Sequence, residues 1–125
     1  MDREKGIAFC GLACCVCSEN HDCVGCRNEG CKDKGWCKSY NCCKQKGLDG
    51  CWQCTDFPCP NEMFDKLRVR TFTMFVSEFG VEKLMDCLER NEKNGLVYHY
   101  AGLLVGDYDI PTSEAEIRSL ILAGK

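Results

Sequence analysis

Three pairs of cysteines, Cys14/Cys17, Cys23/Cys26 and Cys51/Cys54, stand at CxxC spacing. A turn of that length lets two sulfurs converge on one tetrahedral ion at about 2.3 Å, while its backbone N–H groups point at the sulfurs. In Cys23-Val24-Gly25-Cys26 the glycine relieves the tight conformation that such a turn needs. Cys10, Cys31, Cys37, Cys42 and Cys59 each offer one further ligand, which brings the candidate pool to eleven. Eleven does not divide into fours: two full sites leave three over, and three sites need a twelfth donor. His21, Cys15 or Cys43 would supply it, or two metals would share a bridging thiolate. Cys87 lies beside an apolar helical stripe and reads as a small buried hydrophobe.

Ligands that are nearly all thiolate favour closed structural zinc over a catalytic zinc, which keeps an open water position. No HExxH, no His-x-Glu with a Pro-Cys-x-x-Cys partner, no phosphate-binding loop and no dinucleotide fingerprint occurs in the chain. Neither Cys15 nor Cys43 has an identifiable base, so the sequence leans away from catalysis. An iron–sulfur cluster is the alternative cofactor, since iron and zinc both accept four thiolates. Cys10-x3-Cys14-x2-Cys17 has the spacing by which radical enzymes hold a 4Fe–4S cluster, but those enzymes need a much larger barrel around it. Disulfides belong to oxidising compartments. The opening MDREKGIAFCGLACCVC lacks the apolar core of an export signal, and the expectation is a cytoplasmic protein. No apolar run of about 18 residues exists, so no membrane partner is expected.

The elements that must position these cysteines divide the 125-residue chain unevenly. Residues 1–60 hold 13 of the 14 cysteines and 13 other apolar residues; residues 61–125 hold one cysteine and 29 apolar residues. Ordering a backbone costs about 1–2 kcal/mol per residue, more than so few apolar groups return. Structural zinc, at about 10–16 kcal/mol per site, is the most economical way to close that gap. The fold class expected is therefore α+β, a single domain over 1–125. A metal-stapled subdomain of short turns and helices (7–60) would pack on a helix-helix-hairpin-helix subdomain (61–125).

In that second half, Pro60-Asn61 reads as a helix start, with Phe64, Leu67, Phe72, Phe75, Val76 and Phe79 at helical spacing and Gly80 as the stop. Val81, Leu84, Met85 and Leu88 share one face of a second helix that ends before Asn94-Gly95. LVYHYAGLLVGDYD, 96–109, reads as a hairpin turning at Ala101-Gly102, with Gly106 as a possible bulge. Ser113 and Glu116 make a capping box for a last helix that buries Ile117, Leu120 and Ile121 and stops at Gly124.

The cysteine motifs resemble a bacterial and archaeal family, domain of unknown function 3795. Cys10-Gly11-Leu12-x-Cys14-x-x-Cys17 is similar to its opening signature, and Cys23-x-Gly25-Cys26-Arg27 to its second pair. Cys37-x4-Cys42 followed by Lys46-Gly47 resembles its central block, and Cys51-x-x-Cys54-x-x-Phe57-Pro58-Cys59 its closing one. The resemblance covers about residues 7–67 and implies a zinc-binding module with no established activity. The short stretch from Cys17 to Cys23 and the wide gap from Cys31 to Cys37 depart from the family's pattern.

Residues 32–46 carry five lysines and one aspartate with Trp36 and Tyr40 interleaved, a composition that suits a loop tracking phosphates while aromatics stack on bases. The competing reading is a solvated basic loop that offsets nearby thiolates, and no recognition helix accompanies it. Each Zn(Cys)4 centre adds a net charge of −2, so three would take the formal charge from −3 to about −9. That balance suits a protein partner better than a phosphate backbone. Trp52 and Phe57 flank Cys54 and are expected to shield a metal. His99 is expected half-exposed on the face of a strand opposite Tyr98 and Tyr100, and Asp107 and Asp109 at a turn or helix entry. The function these readings support is a zinc-binding structural or adaptor protein with two or three thiolate-rich sites. Nucleic-acid binding through 32–46 and iron–sulfur or thiol redox chemistry are the alternatives.

Overall fold

The computed structural model describes residues 6–8, 10–11, 13–16, 38–54, 65–100 and 105–124. Four α-helices lie within them: α1 (Lys38–Lys46), α2 (Leu67–Phe79), α3 (Val81–Lys93) and α4 (Glu114–Ala123). Short 3-10 turns cover Cys14–Val16, Cys51–Gln53 and Asp107–Asp109. No described helix is long and apolar enough to cross a membrane.

Helices α2, α3 and α4 enclose the core, with Phe72, Phe75, Leu84, Leu88, Ile117 and Ile121 all buried. Gly80, at φ +90°, closes α2 by donating its N–H to the Val76 carbonyl at 2.8 Å, and α3 starts at the next residue. Leu84, Met85 and Leu88 face inward as their spacing requires, and Cys87 is buried beside them. Ser113 Oγ accepts from the Glu116 N–H at 3.2 Å. The Glu116 carboxylate reaches back to the N–H of Thr112 rather than of Ser113, so the box closes one residue early. Helix α2 begins at Leu67 with Lys66 extended, later than the Pro60-Asn61 signal; Pro60, Asn61 and Phe64 lie outside the described residues. Phe79, expected inside, is 42% exposed.

Polar residues also fasten this half. Arg68 is buried on α2, its guanidinium lying 4.7 Å from the centroid of the Tyr98 ring and 3.0 Å from the Asp109 carboxylate. Asn91, fully buried on α3, donates to Tyr108 Oη and the Ile121 carbonyl, both at 3.1 Å. Arg90 caps the end of α4 through the Ile121 and Leu122 carbonyls at 2.9 and 2.8 Å. Arg70–Glu114 at 3.0 Å and Arg118–Glu78 tie α2 to α4 from outside.

The α+β expectation is overturned: every regular element among the described residues is helical. The two arms of the expected hairpin do approach, with the Tyr100 N–H on the Val105 carbonyl at 2.9 Å and the Asp107 N–H on the Val97 carbonyl at 2.8 Å. A strand ladder would return the Val97 N–H to the Asp107 carbonyl. Here the Asp107 carboxylate takes it at 2.7 Å and also accepts from Tyr100 Oη at 2.7 Å. A side chain thus captures the donor that would carry the pairing onward. The chain then turns into the 3-10 segment, whose Asp109 carboxylate accepts the Gly106 N–H at 2.8 Å. Gly106 is needed for close approach: a Cβ there would stand 2.0 Å from the Tyr98 carbonyl oxygen. The expected turn at Ala101-Gly102 lies outside the described residues. Without a strand the alternation of faces fails, and His99 is buried beside Tyr98, their ring centroids 4.5 Å apart.

Described residues near the N-terminus belong to the same core. Ile7, Ala13 and Cys15 are buried in the helical cluster, and the Ala13 N–H donates to Tyr98 Oη at 3.0 Å. Thr73 Oγ1 on α2 lies 2.7 Å from the Cys10 carbonyl oxygen and 2.9 Å from that of Val69, sharing its one proton between them. Gly11, at φ +93°, turns the chain over this hydroxyl, where a Cβ would stand 2.1 Å from Thr73 Oγ1.

Candidate metal centre

Helix α1 is two and a half turns of a basic, cysteine-bearing sequence, and it makes part of the expected basic loop helical. Lys44 and Lys46 sit in its last turn, where cations complement the exposed carbonyls. Gly47, at φ +70°, ends it in the left-handed conformation, and the Leu48 N–H closes back on the Cys43 carbonyl at 2.9 Å. The next turn is held by the Asp49 N–H donating to the Gln53 side-chain oxygen at 2.8 Å, and by the Cys54 N–H on the Cys51 carbonyl at 3.0 Å. Trp52 packs against the helical core and lies over Gly50. Its indole therefore links this corner to the core, beside the shielding role expected of it.

This local folding brings two sulfurs together. Cys43 Sγ lies 3.9 Å from Cys51 Sγ, and the two residues are 1% and 5% exposed. On a tetrahedral zinc with bonds of about 2.3 Å, two thiolates stand about 3.8 Å apart. The donor chemistry and the separation both fit a metal. Cys54 and Cys42 are half-buried, and Cys54 Sγ accepts from Lys46 Nζ at 3.4 Å. The hydrogen bond with Cys51, together with burial and the charges of Cys51, Cys42 and Cys54, pushes the Cys43 thiol far above the ordinary thiol range. A dication at the sulfurs would reverse that preference, because a coordinating thiol is deprotonated outright.

Of the eleven pool cysteines, the described residues place the side chains of Cys10, Cys42, Cys51 and Cys54. Cys17, Cys23, Cys26, Cys31, Cys37 and Cys59 lie outside them, as do His21, Trp36 and Phe57; Cys14 is described only as part of its 3-10 turn. Cys10 is buried under α2, and Cys15 packs in the apolar core. Among the described residues none of the cysteines is bridged in a disulfide, and no group of three His, Cys, Asp or Glu side chains is placed to hold a metal ion. Cys43, left out of the pool of eleven and named with His21 and Cys15 as a twelfth donor, is the residue that meets Cys51. Spacing could not reveal this, because it depends on which way the end of α1 folds back.

An open pocket of about 310 Å³ lies elsewhere, between Lys66, Arg68, Tyr108, Asp109 and Pro111. The Arg68–Asp109 pair that lines it also fastens α2 to the 3-10 turn. Asp107 and Asp109 are spent on backbone N–H groups, Tyr100 and Arg68, the turn roles expected of them.

No curated protein and no solved structure matches the chain. Residues 16–63, which include nine of the eleven pool cysteines, match the family described as "Protein of unknown function (DUF3795)", the family that the cysteine motifs resemble.

Proposed function

We propose that the chain is a zinc-binding structural module, held by two or three thiolate-rich sites and acting through contact with another protein. The observation that carries this reading is the pair of buried sulfurs 3.9 Å apart at the end of α1, in a segment with too few apolar side chains to fold on burial alone. Thiolate-rich donors favour closed structural zinc. The acidic balance that such sites create favours a protein surface over a polynucleotide. The cytoplasm, with its reduced thiols, is the compartment this chemistry suits.

The test is metal analysis with a visible spectrum on anaerobically purified chain. Two or three zinc per chain with no visible band is the result expected. Iron with inorganic sulfide would replace zinc by an electron-carrying cluster, and a folded chain without metal would end the reading. Polynucleotide affinity that falls steeply with salt, and disappears when Lys32, Lys34, Lys38 and Lys44 are neutralised, would replace the protein partner by nucleic acid.

A further inference from the structure

We propose that Cys43 and Cys51 are paired ligands of one metal centre and that Cys42 stands outside it. This rests on the zinc-binding reading above and names which of two adjacent thiols serves the site. Sequence spacing favours Cys42, through Cys37-x4-Cys42; the backbone favours its neighbour. Gly47 and the Leu48 N–H on the Cys43 carbonyl fold the chain back along the side of α1 that carries Cys43. The 3-10 turn Cys51–Gln53 then sets Cys51 Sγ 3.9 Å from Cys43 Sγ. Successive side chains on a helix diverge by about 100°, so the turn that aims Cys43 at Cys51 aims Cys42 elsewhere.

The separation is that of a thiol–thiol hydrogen bond and is also compatible with two ligands of one ion. It is within about 0.2 Å of the edge of a tetrahedral thiolate site, so a metal enters between these sulfurs with little backbone movement. A disulfide requires about 2.0 Å, half the distance present, and an oxidant to take up two electrons. Ligation needs none: each thiol gives its proton to solvent and its sulfur donates an electron pair to the metal. Burial of both residues excludes water from the pair, as a closed structural site requires.

The full chain loaded with cadmium-113 tests this directly, because scalar coupling between the metal and cysteine β-protons names the ligands without substitution. Couplings to Cys43 and Cys51 from one metal, with none to Cys42, are the expected result. In parallel, Cys42→Ser should keep the full metal content and Cys43→Ser should lose one ion per chain; if Cys43→Ser does not fold, the couplings in the unaltered chain decide. Metal bound with couplings to Cys42 in place of Cys43 would overturn this assignment and leave the zinc reading standing. A folded chain that takes up no cadmium or zinc would overturn both, and a Cys43–Cys51 disulfide in that chain would assign the pair to redox chemistry.

Discussion

The corner formed by α1 and the Cys51–Gln53 turn and the bundle formed by α2, α3 and α4 are held by different forces. In the bundle, phenylalanine, leucine and isoleucine side chains close a core, and buried Arg68 and Asn91 each find specific partners across it. In the corner the buried side chains between residues 41 and 54 are those of Cys43 and Cys51; Leu48 is half-buried, and half-buried Trp52 packs against the bundle's core. Its backbone is organised by one left-handed glycine, a few turn hydrogen bonds and a pair of thiols. Burial of apolar area, at about 25 cal/mol per Å², stabilises the first region in any solvent that keeps water structure. On the zinc-binding reading proposed above, the second depends on the ion that its sulfurs bind. Burial in the bundle extends to cysteine-bearing chain as well: Ile7, Ala13 and Cys15 lie in its core, and the Cys10 carbonyl accepts from Thr73 on α2.

Substitution in the bundle should sharpen this contrast most. Phe72 is fully buried against Tyr98 and Tyr108, with ring centroids 5.8 and 5.3 Å away. Phe72→Ala should cost about 3–5 kcal/mol, read by urea denaturation, with the metal content of the folded protein unchanged. Loss of metal in a folded Phe72→Ala chain would show that the two regions are one energetic unit.

A smaller effect is expected at the seam. Gly11→Ala forces a side chain into a positive-φ position and onto Thr73 Oγ1, at a cost of about 1–3 kcal/mol. In a Thr73→Ala background the overlap with Oγ1 disappears while the tight contacts with the backbone N and Cβ of residue 73 remain, so the cost of Gly11→Ala should fall toward the backbone part of about 1–2 kcal/mol. Additive effects in that double-mutant cycle would mean that the motif does not dock on α2.

The smallest effect is a pH dependence confined to the bundle. Burial pushes Tyr108 up to about 12 from an ordinary value of 10, against the lowering effect of the Asn91 hydrogen bond. The folded form thus holds its proton where the unfolded form loses it. Stability is fully present below pH 10 and falls as pH rises from 10 toward 12. Tyr108→Phe should flatten that part of the curve, while metal release from the corner follows acid, through protonation of thiolates.

Much of the bundle was legible because its signals are local. Gly80, Asn94-Gly95, Ser113 with Glu116, and Gly124 mark helix ends through their own backbone preferences, and Leu84, Leu88, Ile117 and Ile121 mark faces by spacing. The hairpin misled because β-rich composition says nothing about the Asp107 carboxylate, which takes the Val97 N–H and stops the ladder. Arg68 stands four residues before Phe72, at the spacing of the buried stripe, and a partner carboxylate is what allows a charge there. The approach of Cys43, rather than Cys42, to Cys51 was illegible, since two adjacent cysteines differ only in the direction that a helix end gives them.

Hydrogen exchange with and without a zinc chelator, on the full chain under reducing conditions, tests the difference between the regions most directly. Chelation should abolish protection of the amides of α1 and of the Leu48 and Cys54 turn bonds, while the amides of α2, α3 and α4 exchange as slowly as before. Unchanged protection in α1 after complete removal of metal would contradict the account, because the corner would then stand without the ion proposed to hold it.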